Sequence, residues 1–226
     1  MMHQIQKHIL RTLSLKKKAR YTEIKPKTVE GNIFTYHLKT LMRDGYVVLK
    51  DLKYSLSPKG KQFVDRVSFE TFQERIQPKI VTILVIENKG KYLLYKRRRL
   101  PFIDSIGFPY GKIHFGEHIK DAAHKELQEK TGLTIDKLTH RGEVYMAIHD
   151  EADLISHALF HVFTGKDPKG TLREDTQIGK CFWGKLEDFN KKDLIPGVDK
   201  IMALVKKNKP TQLFFAEYFL NVSEEN

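Results

Sequence analysis

Apolar residues recur at helical spacing from the start of the chain: Ile5, Ile9, Leu10 and Leu13 share one face and predict a first helix. A basic turn, Lys16–Arg20, leads to a short segment, Tyr21–Ile24, which ends near Pro26. A second strong helix is expected over Glu30–Asp44, with Phe34, Leu38 and Leu41 as its apolar stripe and Gly45 as its stop. Val47–Lys50 and Lys53–Leu56 then read as two short strands around a tight connection. Ser57 is placed to cap a further helix opened by Pro58, which turns Phe63, Val64 and Val67 inward.

Residues 68–79 form a connector that closes with Gln77-Pro78, and beyond it the pattern changes. Ile80–Glu87 and Lys91–Lys96 are β-rich runs parted by the turn Asn88-Lys89-Gly90. After a Gly- and Glu-bearing block at Gly111–Leu133, further strands are predicted at Gly142–His149, Ile155–Thr164 and Cys181–Gly184. Helical stretches follow at Leu186–Phe189, Lys191–Leu194 and Val198–Lys207, while Phe214–Leu220 fits a strand or a helix equally. The pattern predicts an α/β protein of two parts, 1–75 and 76–226, without repeats or low-complexity runs.

Charge sharpens that division. The formal net charge of the 226 residues is +12, and the first 75 carry 16 Lys and Arg against 7 Asp and Glu. A basic module followed by a nearly balanced one favours contact between the first part and a polyanion. A solvated Lys-rich surface is the other reading. The single cysteine, Cys181, excludes an intramolecular disulfide, fits a cytoplasmic location and reads as a strand position beside Phe182 and Trp183. Apolar runs such as Val81–Ile86 are too short to span a bilayer, so no membrane partner is expected.

Opposite the apolar stripe of the second strong helix, Asn32, Tyr36, Lys39 and Arg43 align at i, i+4, i+7 and i+11. An amide, a phenol and two cations are groups that meet base edges and phosphates. Any surface helix also has a polar face. The element order and the stretch FTYHLKTLMRDGYV…YSLSPKG resemble the winged helix-turn-helix family, particularly regulators that read DNA as dimers. The resemblance implies double-stranded DNA as a partner and a homodimer, with Lys50 and Lys53 of the ribbon on backbone phosphates.

The block GKIHFGEHIKDAAHKELQEKTGL follows the spacing G-x5-E-x7-R-E-U-x-E-E-x-G-U, with U a bulky aliphatic, at Gly111, Glu117, Glu126, Leu127, Glu129, Gly132 and Leu133. It resembles the Nudix family, whose usual work is hydrolysing nucleoside diphosphates linked to another group. The implied fold for 76–226 is an α/β/α sandwich around a mixed β-sheet. Glu126, Glu129 and position 130 share a helix face, and three carboxylates there would hold Mg²⁺ or Mn²⁺ against a diphosphate. The resemblance assigns Glu126 and Glu129 to metal binding or base duty, Glu117 to a supporting ligand, and the backbone carbonyl of Tyr110 to the metal. Gly111 is read as a residue whose backbone freedom turns the loop toward a ligand. Arg97, at a strand end, stands where similar Nudix strands place an Arg near the substrate; a solvated strand end is the alternative.

Two positions depart from the pattern. Lys125 replaces the Arg that orients the neighbouring Glu, and one ammonium does that less rigidly than a guanidinium fork. Lys130 replaces the last Glu, exchanging a negative for a positive charge beside a divalent ion. At about 4–6 Å and an effective dielectric near 20, that repulsion is on the order of several kcal/mol. The ammonium either snorkels outward, leaving a depleted metal site, or binds the ligand's phosphate itself. The first course permits slow hydrolysis; the second gives a binder. His114 also stands where a loop Glu is frequent, and Glu174 and Asp175 lie where some relatives supply a late carboxylate. His157 and His161 face one way, but with no other ligands in view they read as core or edge histidines.

Two functions follow. One is a DNA-binding transcriptional regulator whose Nudix-like domain binds a nucleotide or nucleoside-diphosphate derivative, with a metal requirement weakened or lost. It resembles Nudix-related regulators that bind ADP-ribose-type ligands without cleaving them, although there the winged helix is commonly C-terminal. The other is an active Mg²⁺-dependent hydrolase with an accessory winged helix.

Overall fold

A computed structural model describes residues 2–176 and 179–222, which divide into two compact units at Gln77/Pro78. In the first unit, α1 (Gln4–Ser14), α2 (Tyr21–Ile24) and α3 (Gly31–Arg43) precede the strands β1 (Val47–Lys50) and β2 (Lys53–Leu56) and the helix α4 (Pro58–Arg66). Ile9, Leu10, Leu13, Phe34, Leu38 and Leu41 are buried together, so the apolar stripes of α1 and α3 face one core. The β1–β2 hairpin pairs Val47 with Leu56 through Lys50 with Lys53, and Ala19 adds an isolated antiparallel bridge to Tyr54 of β2. Ser57 caps α4: its hydroxyl oxygen accepts from Gly60 N at 2.9 Å and donates to Gly45 O at 2.5 Å.

The second unit holds a nine-stranded sheet. Its strands are β3 (Lys79–Asn88), β4 (Lys91–Arg97), β5 (Ile106–Gly107), β6 (Tyr110–Lys112), β7 (Thr139–Asp150), β8 (Asp153–Lys166), β9 (Asp175–Thr176), β10 (Gly179–Gly184) and β11 (Phe214–Asn221). The order is β11-β7-β8-β3-β4-β10-β9, with parallel pairing at β11–β7 and β3–β8 and antiparallel pairing elsewhere, so the sheet is mixed. Helix α5 (Ile119–Thr131) covers one face over Leu84, Ile86, Leu93, Ala123 and Leu127. Helix α6 (Val198–Lys207) covers the other over Ile83, Val85, Val144, Met146 and Val162. The alternation of side chains along β3 sends odd residues to one helix and even residues to the other.

Phe214–Leu220, open between two readings, is a strand. It lies at the sheet edge parallel to β7, and alternates buried and exposed residues. Leu186–Phe189 and Lys191–Leu194 are single 3₁₀ turns at Leu186–Asp188 and Lys191–Asp193, too short for α-helix.

One irregularity positions the site. β3 and β4 pair only next to their turn, at Glu87–Tyr92 and Asn88–Lys91, and then splay. The segment between β4 and α5 fills the gap: β5 pairs with β4, β6 pairs with β3, and Leu84 N donates to Pro109 O at 2.9 Å. The Gly107–Gly111 loop is thereby held as part of the sheet, beneath α5.

Candidate functional site

Helix α5 carries the acidic positions. It starts at Ile119, two residues after Glu117, and ends at Gly132, whose φ of 74° is the left-handed conformation common after a helix. Glu126 is buried, Glu129 is exposed, and Lys125 and Lys130 are half-buried between them. Across from this helix lies β6. A β-carbon on Gly111 would sit 1.8 Å from Glu126 Cδ, so only glycine leaves room for that carboxylate. Gly111 has no left-handed φ; the backbone freedom expected of it is not used, and its role is to be small.

Lys130 does not snorkel outward, the first of the two courses left open by the sequence. Its ammonium turns inward, donates to the carbonyl oxygen of Tyr110 and lies 2.7 Å from Glu126 Oε2. It also stands 5.6 Å from the centre of the Tyr110 ring, within cation–π range. The carbonyl and the carboxylate expected on a metal thus both hold one lysine. Lys125 does the same for Glu117: its Nζ donates to Oε1, while His114 N donates to Oε2 at 2.9 Å. The Lys125 hydrogen bond, then that of the His114 amide, lower the Glu117 carboxyl from its ordinary value, and Glu117 raises Lys125 in turn.

Magnesium does not fit this donor set as it stands. Hard divalent ions take several oxygens at close range, and here two of the four expected donors face an ammonium, a third is paired with Lys125, and Glu129 stands exposed. A divalent ion would first have to displace Lys130.

Arg97 has a different employment from the one expected of it. It is buried, and its guanidinium donates to the carbonyls of Arg99 (2.7 Å), Pro101 (2.6 Å) and Leu100 (3.2 Å) and to the Tyr110 hydroxyl (2.6 Å). It fixes the loop after β4 and reaches the site only through Tyr110. The Tyr95 hydroxyl completes this group at 3.4 Å from Arg97, and burial pushes its phenol up. Sequence spacing gave no signal of this network, because Tyr95, Arg97 and Tyr110 meet only through the splayed strands.

Tyr110 turns its ring to the sheet face opposite Glu126. There it lines an apolar cleft with Val81, Ile83, Phe102, Phe108 and Phe160. The cleft holds about 40 Å³, room for a water and not for a base, so an entering ring must displace side chains.

The remaining residues separate from the site or pair off. Glu174 and Asp175 are exposed, and Asp175 is bound by Arg98, which lowers its carboxyl. Cys181 is buried in β10 with its thiol pushed up to about 11 by burial, a strand position and not a nucleophile. In the first unit Asn32, Tyr36, Lys39 and Arg43 are all exposed on the α3 face opposite Phe34, Leu38 and Leu41. Arg43 pairs with the adjacent Asp44 at 3.1 Å, and Lys50 and Lys53 face each other across the hairpin end.

Comparison with known proteins places the second unit. The NUDIX domain model matches residues 77–205. The "Uncharacterized Nudix hydrolase YvcI" of Bacillus subtilis is 25% identical over 129 residues, which are 57% of this chain and 80% of that protein. The "Oxidized purine nucleoside triphosphate hydrolase" of Danio rerio is 31% identical over 44% of this chain, and an "ADP-ribose pyrophosphatase" of Methanocaldococcus jannaschii is 29% identical over 33%. The chain spans 62% and 44% of the length of those last two relatives. Among solved structures, the NUDIX domain of Shewanella oneidensis NrtR, complexed with ADP ribose, matches 65% of this chain and 96% of its own at a TM-score of 0.50 and 15% identity. A MutT NUDIX hydrolase of Burkholderia pseudomallei matches 59% of this chain and all of its own at 0.50 and 24%. Those likenesses establish a shared fold. With the family model covering more than half of its residues, a Glu-bearing helix over a glycine of β6 and a mixed sheet between two helices, this chain belongs to the Nudix family.

Proposed function

We propose that this chain is a DNA-binding regulator whose Nudix unit takes up a nucleoside-diphosphate derivative and cleaves it weakly or not at all. The observation that carries the reading is the ammonium of Lys130 seated between Tyr110 O and Glu126 Oε2. It places a fixed single positive charge where a hydrolase of this family would need a divalent one. A metal ion entering this site has to displace the ammonium from both Tyr110 O and Glu126 Oε2 before it can use either oxygen, so it competes with a cation already in place. The paired lysines also remove the repulsion that bare glutamates would offer a diphosphate, which is what a binder needs. ADP-ribose is the first ligand to try, since it occupies the NrtR domain and gives two relatives their names.

The regulator half rests on the first unit. Three helices, a ribbon and a helix are the parts of a winged helix-turn-helix, with α3 as the reading helix and Lys50 and Lys53 at the tip of the wing. An exposed face of Asn32, Tyr36, Lys39 and Arg43 suits duplex DNA, and the surface pair Arg43–Asp44 gives up little on release. A homodimer follows from the reading, because one such helix seldom supplies sufficient specificity.

The test is to incubate the protein with Mg²⁺ or Mn²⁺ and a panel of nucleoside-diphosphate derivatives. The parent is expected to be inert or slow while still binding, and Lys130→Glu to gain metal-dependent cleavage. Brisk turnover by the parent, abolished in Glu126→Gln, would establish the hydrolase instead.

A further inference from the structure

Strands β7 and β8 bring together a second set of polar side chains, which shares no residue with the Nudix block. Their antiparallel register sets Glu143 opposite His161 and His140 opposite Phe163. In a regular strand, residues three apart point to opposite faces. Here the register shifts between His140 and Gly142, so Arg141 is the extra residue of a β-bulge. The bulge turns His140 to the same side as Glu143 and sends Arg141 elsewhere, where it is buried and donates to the carbonyl of Asn208 at 2.7 Å. Gly142 next to it has a φ of 138° and would strike Phe214 O with any β-carbon, which fixes the irregularity in place.

The outcome is a compact trio. Glu143 Oε1 lies 3.6 Å from His140 Nε2 and 3.6 Å from His161 Nδ1, and all three atoms fall within 4.8 Å of one another. Neither of those two ring nitrogens, both buried, has a hydrogen-bond partner among the described residues. Leaving buried polar nitrogens unpaired is unfavourable by roughly 1–3 kcal/mol each. Burial, and then the neighbouring His140, push the His161 imidazole below its ordinary value, against the pull of Glu143. The neutral ring is the form that offers a lone pair to a metal. A cavity bounded by Ile119, Leu138, Phe163 and the exposed Lys120 opens beside the trio and leaves a side for water or another ligand.

We propose that His140, Glu143 and His161 bind a divalent transition-metal ion of the zinc class. Two imidazoles and one carboxylate are the ligand types such ions take, and calcium or magnesium would ask for more oxygen. The spacing is suitable: Zn–N and Zn–O bonds of about 2.0–2.2 Å set tetrahedral ligand atoms roughly 3.3–3.5 Å apart. The two distances to Glu143 are already near that separation. The histidines close the rest by small ring rotations. Neither His140 nor Glu143 stands out in the sequence, because their convergence depends on the bulge.

The site is tested on the full chain, stripped of metal by chelation and titrated with Zn²⁺ against a chromophoric chelator, and with Co²⁺ followed by its visible absorption. One ion per chain is expected to be lost in His161→Ala. His140→Gln, at a half-exposed position that leaves the core intact, is expected to weaken uptake by at least about tenfold, since losing a direct ligand costs no less than losing a group that merely orients one. Glu126→Gln should leave that ion bound. Uptake weaker than a Kd on the order of 1 mM, or uptake abolished by Glu126→Gln and untouched by His140→Gln in a folded variant, would overturn the proposal.

Discussion

Gly111 and Glu126 depend on each other more closely than any other pair in the site. A methyl on Gly111 would overlap Glu126 Cδ and lie 2.1 Å from Oε2, so Gly111→Ala has to expel the carboxylate or push β6 off β3. Overpacking of this kind costs about 1–3 kcal/mol. The expected outcome is a loss of that size in urea unfolding of the second unit, together with loss of ligand binding, because Lys130 loses its anionic partner. Unchanged stability and binding would show that the site relaxes around the methyl. Chemistry at this scale was legible in the sequence only as residue type. The block named the glutamates and marked Lys130 as foreign, but a four-carbon stem leaves the ammonium several destinations. Its choice was set by the Tyr110 carbonyl, a backbone group that no spacing reveals. Arg97 misled for a related reason: a cation at a strand end looks available until the loop carbonyls that occupy it are in place.

At the scale of elements the apolar rhythm carried most of the information. The second long helix of the first unit, its hairpin and the Ser57 cap lie within a residue or two of their predicted bounds, and the first helix carries the predicted apolar face, since each has a stripe, a stop or a capping oxygen of its own. It failed where an element owes its form to a neighbour. The edge strand β11 is strand because β7 pairs with it, and the bulge in β7 is invisible without β8. The polar face of α3 is legible in both sequence and structure, and it supports a prediction. Lys39→Ala and Arg43→Ala leave the core stripe untouched, so the helix should persist while two cations disappear from its outer face. Binding to duplex DNA is expected to weaken, and the salt slope to fall by about one for each phosphate that is no longer neutralised. Fluorescence anisotropy at several salt concentrations measures both. An unaltered slope would mean that α3 does not lie against DNA.

For the whole molecule, the regulator reading requires more than a DNA face on one unit and a ligand site on the other. It requires that they be coupled, and coupling is reciprocal. If a nucleoside-diphosphate derivative changes the affinity for DNA by some factor, DNA must change the affinity for that ligand by the same factor, whichever direction the change takes. Couplings of this kind typically lie at about 5–150-fold. The measurement is a closed cycle on the intact chain: DNA affinity with and without saturating ADP-ribose, and ADP-ribose affinity with and without saturating duplex. Equal factors well away from one are expected, and Lys130→Glu should alter both equally, because the same ammonium that seats the ligand then sets the size of the effect. A factor of one in a protein that binds both ligands would leave two independent binding units on one chain, and the lysine at position 130 would then serve recognition alone.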